Sequence, residues 1–308
     1  MKTIQSLQNK RGAMRVLIKP LTSRARFYQN MLIAILFAGT VVQSRAQVYT
    51  LSAQDSSVQI NLAGGGGVSQ WMIDNVNQLN RQSFYYSVGS GSVYSIDTIA
   101  PWSTPSISYG SAPTLTETYA NLIISVQTKY TLQGQLSGSG KAKLGDAITI
   151  SNPSANAQTY HFYQYSDFDL GGVSGGQNVH FNINGAGTAY QVVQNGLTGV
   201  TLTGTVTALS GGNSVAPEEE AGIYDGTQFG LGNGNTAPLL NNTLNADPDN
   251  VVYAYEWDVT LAASGNLGSS ITFSEIQTVV PEPSSVGLVV SGMVALALFY
   301  RRRQGGAA

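Results

Sequence analysis

Val251-Val252-Tyr253-Ala254-Tyr255-Glu256-Trp257-Asp258-Val259-Thr260-Leu261 sets the fold class. Large apolar or aromatic side chains stand at 251, 253, 255, 257, 259 and 261. Ala254, Glu256, Asp258 and Thr260 fill the places between them. Successive side chains of a strand point to opposite faces, so this period of two describes a half-buried antiparallel strand with one solvated face. A helix would place Tyr255 and Asp258 on one stripe and bury neither face cleanly.

The same period recurs upstream. Leu122, Ile124, Val126, Tyr130 and Leu132 share one face, and Ser125, Gln127, Lys129, Thr131 and Gln133 share the other. Further strands are expected at 92–99, 147–151, 159–165, 179–183, 190–193, 200–208 and 271–279. Gly64-Gly65-Gly66-Gly67, Gly138-Ser139-Gly140, Asn152-Pro153, Gly171-Gly172, Gly211-Gly212-Asn213 and Gly232-Asn233-Gly234-Asn235 supply turns between them. About nine or more strands joined by such turns predict an all-β domain, an antiparallel β-sandwich or jelly roll. Only Asp74–Gln82 looks helical, as a short polar surface turn. Residues 210–249 read as long surface loops, with Glu218-Glu219-Glu220 a solvated charge run.

Charge is distributed unevenly. Residues 1–46 hold eight of the fifteen Lys and Arg, and Arg301, Arg302 and Arg303 hold three more. Between them stand Arg81, Lys129, Lys141 and Lys143 against the sixteen acids of residues 55–275, a formal charge of −12. Such a body repels nucleic acid and anionic polymers at long range and is compatible with divalent cations and neutral sugars. The absence of cysteine excludes disulfides, thiol catalysis and thiolate metal sites. Residues 47–280, roughly 234 of them, suffice for one domain with its own core.

Both ends read as addresses. Lys2 to Arg26 is basic without an acid, Met31 to Val42 is apolar, and Ser44-Arg45-Ala46 places small residues before a cut. Residues 1–46 are therefore expected to be a secretory signal peptide. At the other end, Val280-Pro281-Glu282-Pro283-Ser284 precedes an uncharged apolar run, 286–300, and then Arg301-Arg302-Arg303. Two prolines hold Glu282 in an extended backbone. The run is expected to form a C-terminal transmembrane helix, slightly short of the usual ~20 residues, stopped by the arginines on the cytoplasmic side.

These three parts, in this order at residues 280–303, resemble the PEP-CTERM sorting tail of exported proteins of Gram-negative bacteria. The resemblance implies exosortase as a partner, passage through the inner membrane during sorting, and delivery to the cell surface or extracellular matrix. It divides the chain into a signal peptide (1–46), an exported domain (47–280) and a sorting and transmembrane segment (281–303). It assigns no activity to the domain.

Within the domain, Asp167 and Asp169 alternate around Phe168, on one side of a strand end. They can share Ca²⁺ through oxygen ligands or simply cap a turn. Asp247-Pro248-Asp249-Asn250 is a second oxygen cluster. His161 and His180 are the only histidines, without metal-motif spacing. Glu256 and Asp258 share a face and suit glycoside hydrolysis only if they stand ~5–10 Å apart with a sugar between them. Trp71, Trp102 and Tyr109 are candidates for stacking on sugar rings or for core burial. The sequence predicts a non-enzymatic structural or adhesive surface protein, associated with exopolysaccharide and without a cofactor other than calcium. The alternative is a carbohydrate-binding or glycan-active protein on the same scaffold.

Overall fold

A computed structural model describes residues 47–100, 104–183, 189–209, 217–224, 228–231 and 243–281. The expected signal peptide, Glu282 to Ser284, the apolar run, Arg301 to Arg303 and Trp102 lie outside them. Among the described residues no helix is long and apolar enough to cross a membrane.

The strands in chain order are β1 (Val48–Ala53), β2 (Ser56–Asn61), β3 (Gly67–Ile73), β4 (Val76–Val88), β5 (Tyr94–Ser95), β6 (Ser106–Ser108), β7 (Thr114–Ala120), β8 (Ser125–Gly134) and β9 (Ala142–Ser151). Then follow β10 (Gln158–Phe168), β11 (Gln177–Ile183), β12 (Ala189–Asn195), β13 (Val200–Leu209), β14 (Glu218–Ile223), β15 (Asn245–Asp249), β16 (Val251–Leu261) and β17 (Ser270–Pro281). One sheet runs β1-β2-β3-β4-β10-β16-β14, with β5 also paired to β4. The other runs β15-β11-β12-β13-β17-β9-β8-β7-β6. Neighbouring strands pair antiparallel, and β1–β4, β6–β9 and β11–β13 are meanders. The fold is a large all-β sandwich; its meander connectivity departs from the jelly roll's paired Greek keys.

Alternation decides what each sheet buries. Along β16, Tyr253, Tyr255, Trp257, Val259 and Leu261 enter the main core, as the sequence period requires. In β10, Tyr160, Phe162 and Phe168 do the same. Phe162 stacks on Phe84 of its own sheet at 5.9 Å and on Phe273 of the facing sheet at 5.7 Å. Truncating so enclosed a ring to alanine costs about 3–5 kcal/mol. The sheets are also joined by hydrogen bonds: the Tyr130 hydroxyl donates to the Gly66 carbonyl (2.7 Å) and that of Tyr119 to the Leu62 carbonyl (2.8 Å).

Several expectations change. Asp74–Gln82 is not helical: Asp74 and Asn75, both at positive φ (48° and 64°), turn β3 tightly into β4. Such a two-residue turn matches strand twist and favours Asn and Asp. Glu218-Glu219-Glu220 is no loop but part of β14, paired with β16, and Glu219 is buried. Of 92–99 only Tyr94 and Ser95 are strand; Ile96–Thr98 is a 3-10 turn. Trp71 is fully buried, and its Nε1 donates to Ser56 Oγ at 2.9 Å, so it cannot stack on a ligand.

Candidate functional site

The side chains that β10 and β16 do not bury form the site. In the antiparallel register His161 faces Asp258, and Tyr163 faces Glu256. Tyr160, Phe162, Tyr255, Trp257 and Val259 point into the core, so His161, Tyr163, Glu256 and Asp258 share the outer face of the first sheet. His161 Nδ1 hydrogen-bonds Asp258 Oδ1 and lies 3.5 Å from Glu256 Oε1. The Glu256 side chain is wholly buried, that of His161 is 18% exposed and that of Asp258 43%, a graded access from floor to rim. One ligand atom from each of the three fits within 4.8 Å of the others.

Carboxylates only accept hydrogen bonds, so the proton in this contact sits on His161 Nδ1. Asp258 thereby fixes the ring and its tautomer and leaves Nε2 for another partner. The Tyr163 hydroxyl lies beside Glu256 and Ser87, and burial pushes its ionisation up. Next along the same face, Tyr85, Val93, Tyr163, Tyr165, Leu231 and Val252 form a second, smaller apolar cluster. Phe229, which packs against it, meets Tyr165 edge-on at 6.1 Å. Tyr224, 43% exposed, stands at the end of β14 close enough to act on the ionisation of Tyr165.

This arrangement suits proton transfer: a histidine oriented by one carboxylate and abutting another. Glu256 and Asp258 leave no sugar-sized gap between them for glycoside hydrolysis, because His161 contacts both carboxylates. One nitrogen and two carboxylates are also a donor set that a divalent metal accepts. The sequence already flagged Glu256 and Asp258 as a pair and His161 apart from them. Only the β10–β16 register brings the three together, and it was not readable from either strand alone.

Asp167 and Asp169 are brought close but not side by side on a strand. Asp167 is buried on β10, and its Oδ2 accepts a hydrogen bond from Asn80 Nδ2 at 2.8 Å. Asp169 lies past the strand end with φ −107° and ψ 68°. Burial raises both carboxyls, Asp167 to about 6, with Arg81 acting in the opposite sense on Asp167. Oδ1 of each has no hydrogen-bond partner. Asp249 is exposed at the end of β15, and its Oδ1 accepts from the backbone N–H of Asn250. His180 sits on β11 away from the cluster, and Tyr109 is 82% exposed. Val280 and Pro281 are the last residues of β17, paired with Thr201 and Val200, two residues further than the strand expected from sequence.

No family model matches the chain, and no curated protein is similar to it. Solved structures are. A bacterial glucoamylase complexed with acarbose matches with TM-score 0.46 and 9% identity, over 80% of this chain and 35% of its own. The chain thus spans about a third of that enzyme's length. A putative aldose 1-epimerase from Escherichia coli K12 matches with TM-score 0.40 and 9% identity, over 76% of this chain and 99% of its own. A galactose mutarotase-like protein from Clostridium acetobutylicum matches with TM-score 0.43 and 8% identity, over 78% and 97%. Likeness at this level assigns neither activity nor substrate here. The expectation of a non-enzymatic protein is withdrawn, since the solved structures similar to the chain include a glucoamylase and mutarotase-like proteins.

Proposed function

We propose that the sandwich domain is a glycan-active protein that moves protons on a neutral sugar at His161, Glu256 and Asp258. The observation that carries this reading is the contact of His161 with both carboxylates on a face that also bears tyrosines. Tyrosine rings offer apolar faces to sugar C–H groups and hydroxyls to sugar oxygens. In the proposed step, Nε2 of His161 takes the proton of the anomeric hydroxyl and returns it to the ring oxygen, while the buried Glu256 carboxylate behind the ring steadies the imidazolium in between. The bond from the anomeric carbon to the ring oxygen breaks and a carbonyl forms. Reversal from the other face returns the second anomer and restores the imidazole. Asp258 positions the imidazole and steadies its charge.

The test is the anomer exchange rate of free hexoses followed by NMR. Wild type should accelerate it, Glu256→Gln should not, and both should melt alike. Equal exchange with and without wild-type protein, across aldohexoses, would remove the proposal. Running the assay with a chelator distinguishes direct proton transfer from a metal-assisted route through the same three ligands.

The address remains part of the proposal: export by residues 1–46, then exosortase sorting at Val280 to Ser284 with Arg301 to Arg303 as the stop, to a surface or matrix rich in exopolysaccharide. Glu282→Ala should leave the protein unprocessed in cells that carry an exosortase, judged by its mass. Calcium at Asp167 and Asp169 is proposed alongside, since each keeps an oxygen without a donor. Millimolar Ca²⁺ should raise the melting temperature of wild type but not of Asp167→Asn with Asp169→Asn.

A further inference from the structure

The outer face of the second sheet carries a hollow of about 350 Å³, lined among others by Lys129, Thr131, Gln133, Lys143, Ser274 and Ile276; Asp146 and Glu275 also border it, with their carboxylates bonded inside the core. Its centre is Gly145, which pairs with Thr131 on β8 and Ile276 on β17. Glycine in the middle of a strand weakens it and marks either a backbone need or a close approach. No backbone need exists here. Gly145 is not in the positive-φ region, and a Cβ built on it would meet nothing nearer than 3.9 Å. A larger residue fits, so the fold does not demand glycine, and its absence of side chain keeps the floor of the hollow open.

The walls tell which chemistry the floor receives. Lys129 and Lys143 are two of only four Lys and Arg residues between residues 47 and 280, in a stretch with sixteen acids. Both stand at this hollow. Gln133 is paired with Lys143 and Thr131 with Gly145, so the two lysines occupy opposite corners, four residues apart along the strand direction or about 13 Å. Thr131, Gln133 and Ser274 add hydroxyl and amide groups between them, and Ile276 with Ala147 adds apolar surface. The acidic remainder of the domain repels densely charged polymers such as nucleic acid. Two separated ammonium groups with hydroxyl partners and apolar patches between them match a short saccharide whose carboxylates stand apart from one another.

We propose that this hollow binds a short carboxylated saccharide, an oligomer of a few uronic acids, with Lys129 and Lys143 each taking a carboxylate and a sugar face lying over Gly145. It lies on the opposite sheet from His161, and its occupancy does not depend on chemistry there. The full chain is titrated calorimetrically with trigalacturonic acid and, in parallel, with the neutral galactose trisaccharide. The acidic sugar should bind, several-fold more weakly as salt rises from about 50 to about 200 mM. The neutral one should not bind over the same range. Lys129→Ala with Lys143→Ala should weaken binding at least tenfold. Gly145→Leu should do the same by filling the floor, with both lysines still in place. His161→Ala should bind as wild type does, so this result and the fate of the acid–base cluster are read separately. Equal binding of the neutral sugar, no binding of the acidic one, or full affinity in Gly145→Leu would each overturn the proposal.

Discussion

At the scale of single residues, the sharpest feature is that Glu256 has no side-chain exposure on a face that elsewhere meets solvent. Its carboxyl abuts His161 and is covered from the Tyr163 side, so proton exchange with bulk water runs past the imidazole. Asp258→Asn keeps the shape but loses the charge that holds the ring. It should lower kcat by roughly 10²-fold with little effect on KM, and shift the acid limb of the pH profile. An unchanged pH profile in that variant would assign Asp258 no role. Alternation in the sequence placed Glu256 and Asp258 on one face, and the structure keeps them there. Their unequal burial was not legible, because it depends on the strands beside β16, β10 and β14, far away in sequence. Trp71 was ambiguous for a similar reason: its burial follows from Ser56 offering an oxygen to the indole N–H. Ser56→Ala should cost about 1–3 kcal/mol by leaving that N–H unpaired, measurable by urea unfolding.

At the scale of elements, the β3–β4 turn does more than reverse the chain. The Asp74 carboxylate accepts the backbone N–H groups of Gly138 (2.7 Å) and Gly140 (2.8 Å), clasping the β8–β9 turn of the other sheet. Those two backbone donors hold its carboxyl below the ordinary value. A lowered carboxyl stabilises the fold above its unfolded-state value and ceases to do so as pH falls through its folded value. Asp74→Asn should therefore melt earlier than wild type at neutral pH, and the gap should close in acid, below about pH 4. Strands β10 to β13, β16 and β17 could be read from their period of two. The first three strands and β14 could not. In β1 to β3 the alternating set is rich in Ser, Gln and Gly, and in β14 the sequence is three glutamates, whose pairing only β16 explains. The Asp74-Asn75 pair was the missed signal, a hairpin turn standing where polar composition suggested helix.

At the scale of the whole molecule, the core carries acids between its sheets. Asp146 Oδ2 accepts from Gln82 Nε2 (3.0 Å), and its Oδ1 accepts the Glu275 backbone N–H (3.1 Å). Glu275 accepts from Gln164 and Gln277 and from the Tyr253 hydroxyl. Burial pushes Asp146 up to about 7 and Glu275, next to it, to about 8. Burial also raises Glu117 and Glu219 to about 7 each. The formal charge of −12 therefore overstates the charge carried near neutrality. Acids whose folded values lie above their unfolded ones keep protons that the unfolded chain has released, so stability falls as pH rises from about 4 to about 8. Melting temperature should be highest in mild acid and decline toward pH 8. Glu275→Gln should flatten that decline. A profile rising toward alkaline pH, or identical in the variant, would contradict a protonated core.

The last residue of β17 sets a limit of another kind. This strand lies between β13 and β9 inside its sheet, and Pro281 still pairs with Val200 while its ring occupies the space beside Gly140. There is no slack linker between the sheet and the Pro-Glu-Pro motif; the motif begins where the ladder ends. The folded sheet thus acts as a steric ruler for any protease or transpeptidase that approaches from the C-terminal side. A cut before Pro281 has to unzip an interior strand, whereas a cut beyond it leaves the sandwich whole. Limit digestion of the native protein should accordingly yield a C-terminal boundary at or after Pro281 by mass spectrometry, whatever the specificity of the enzyme used.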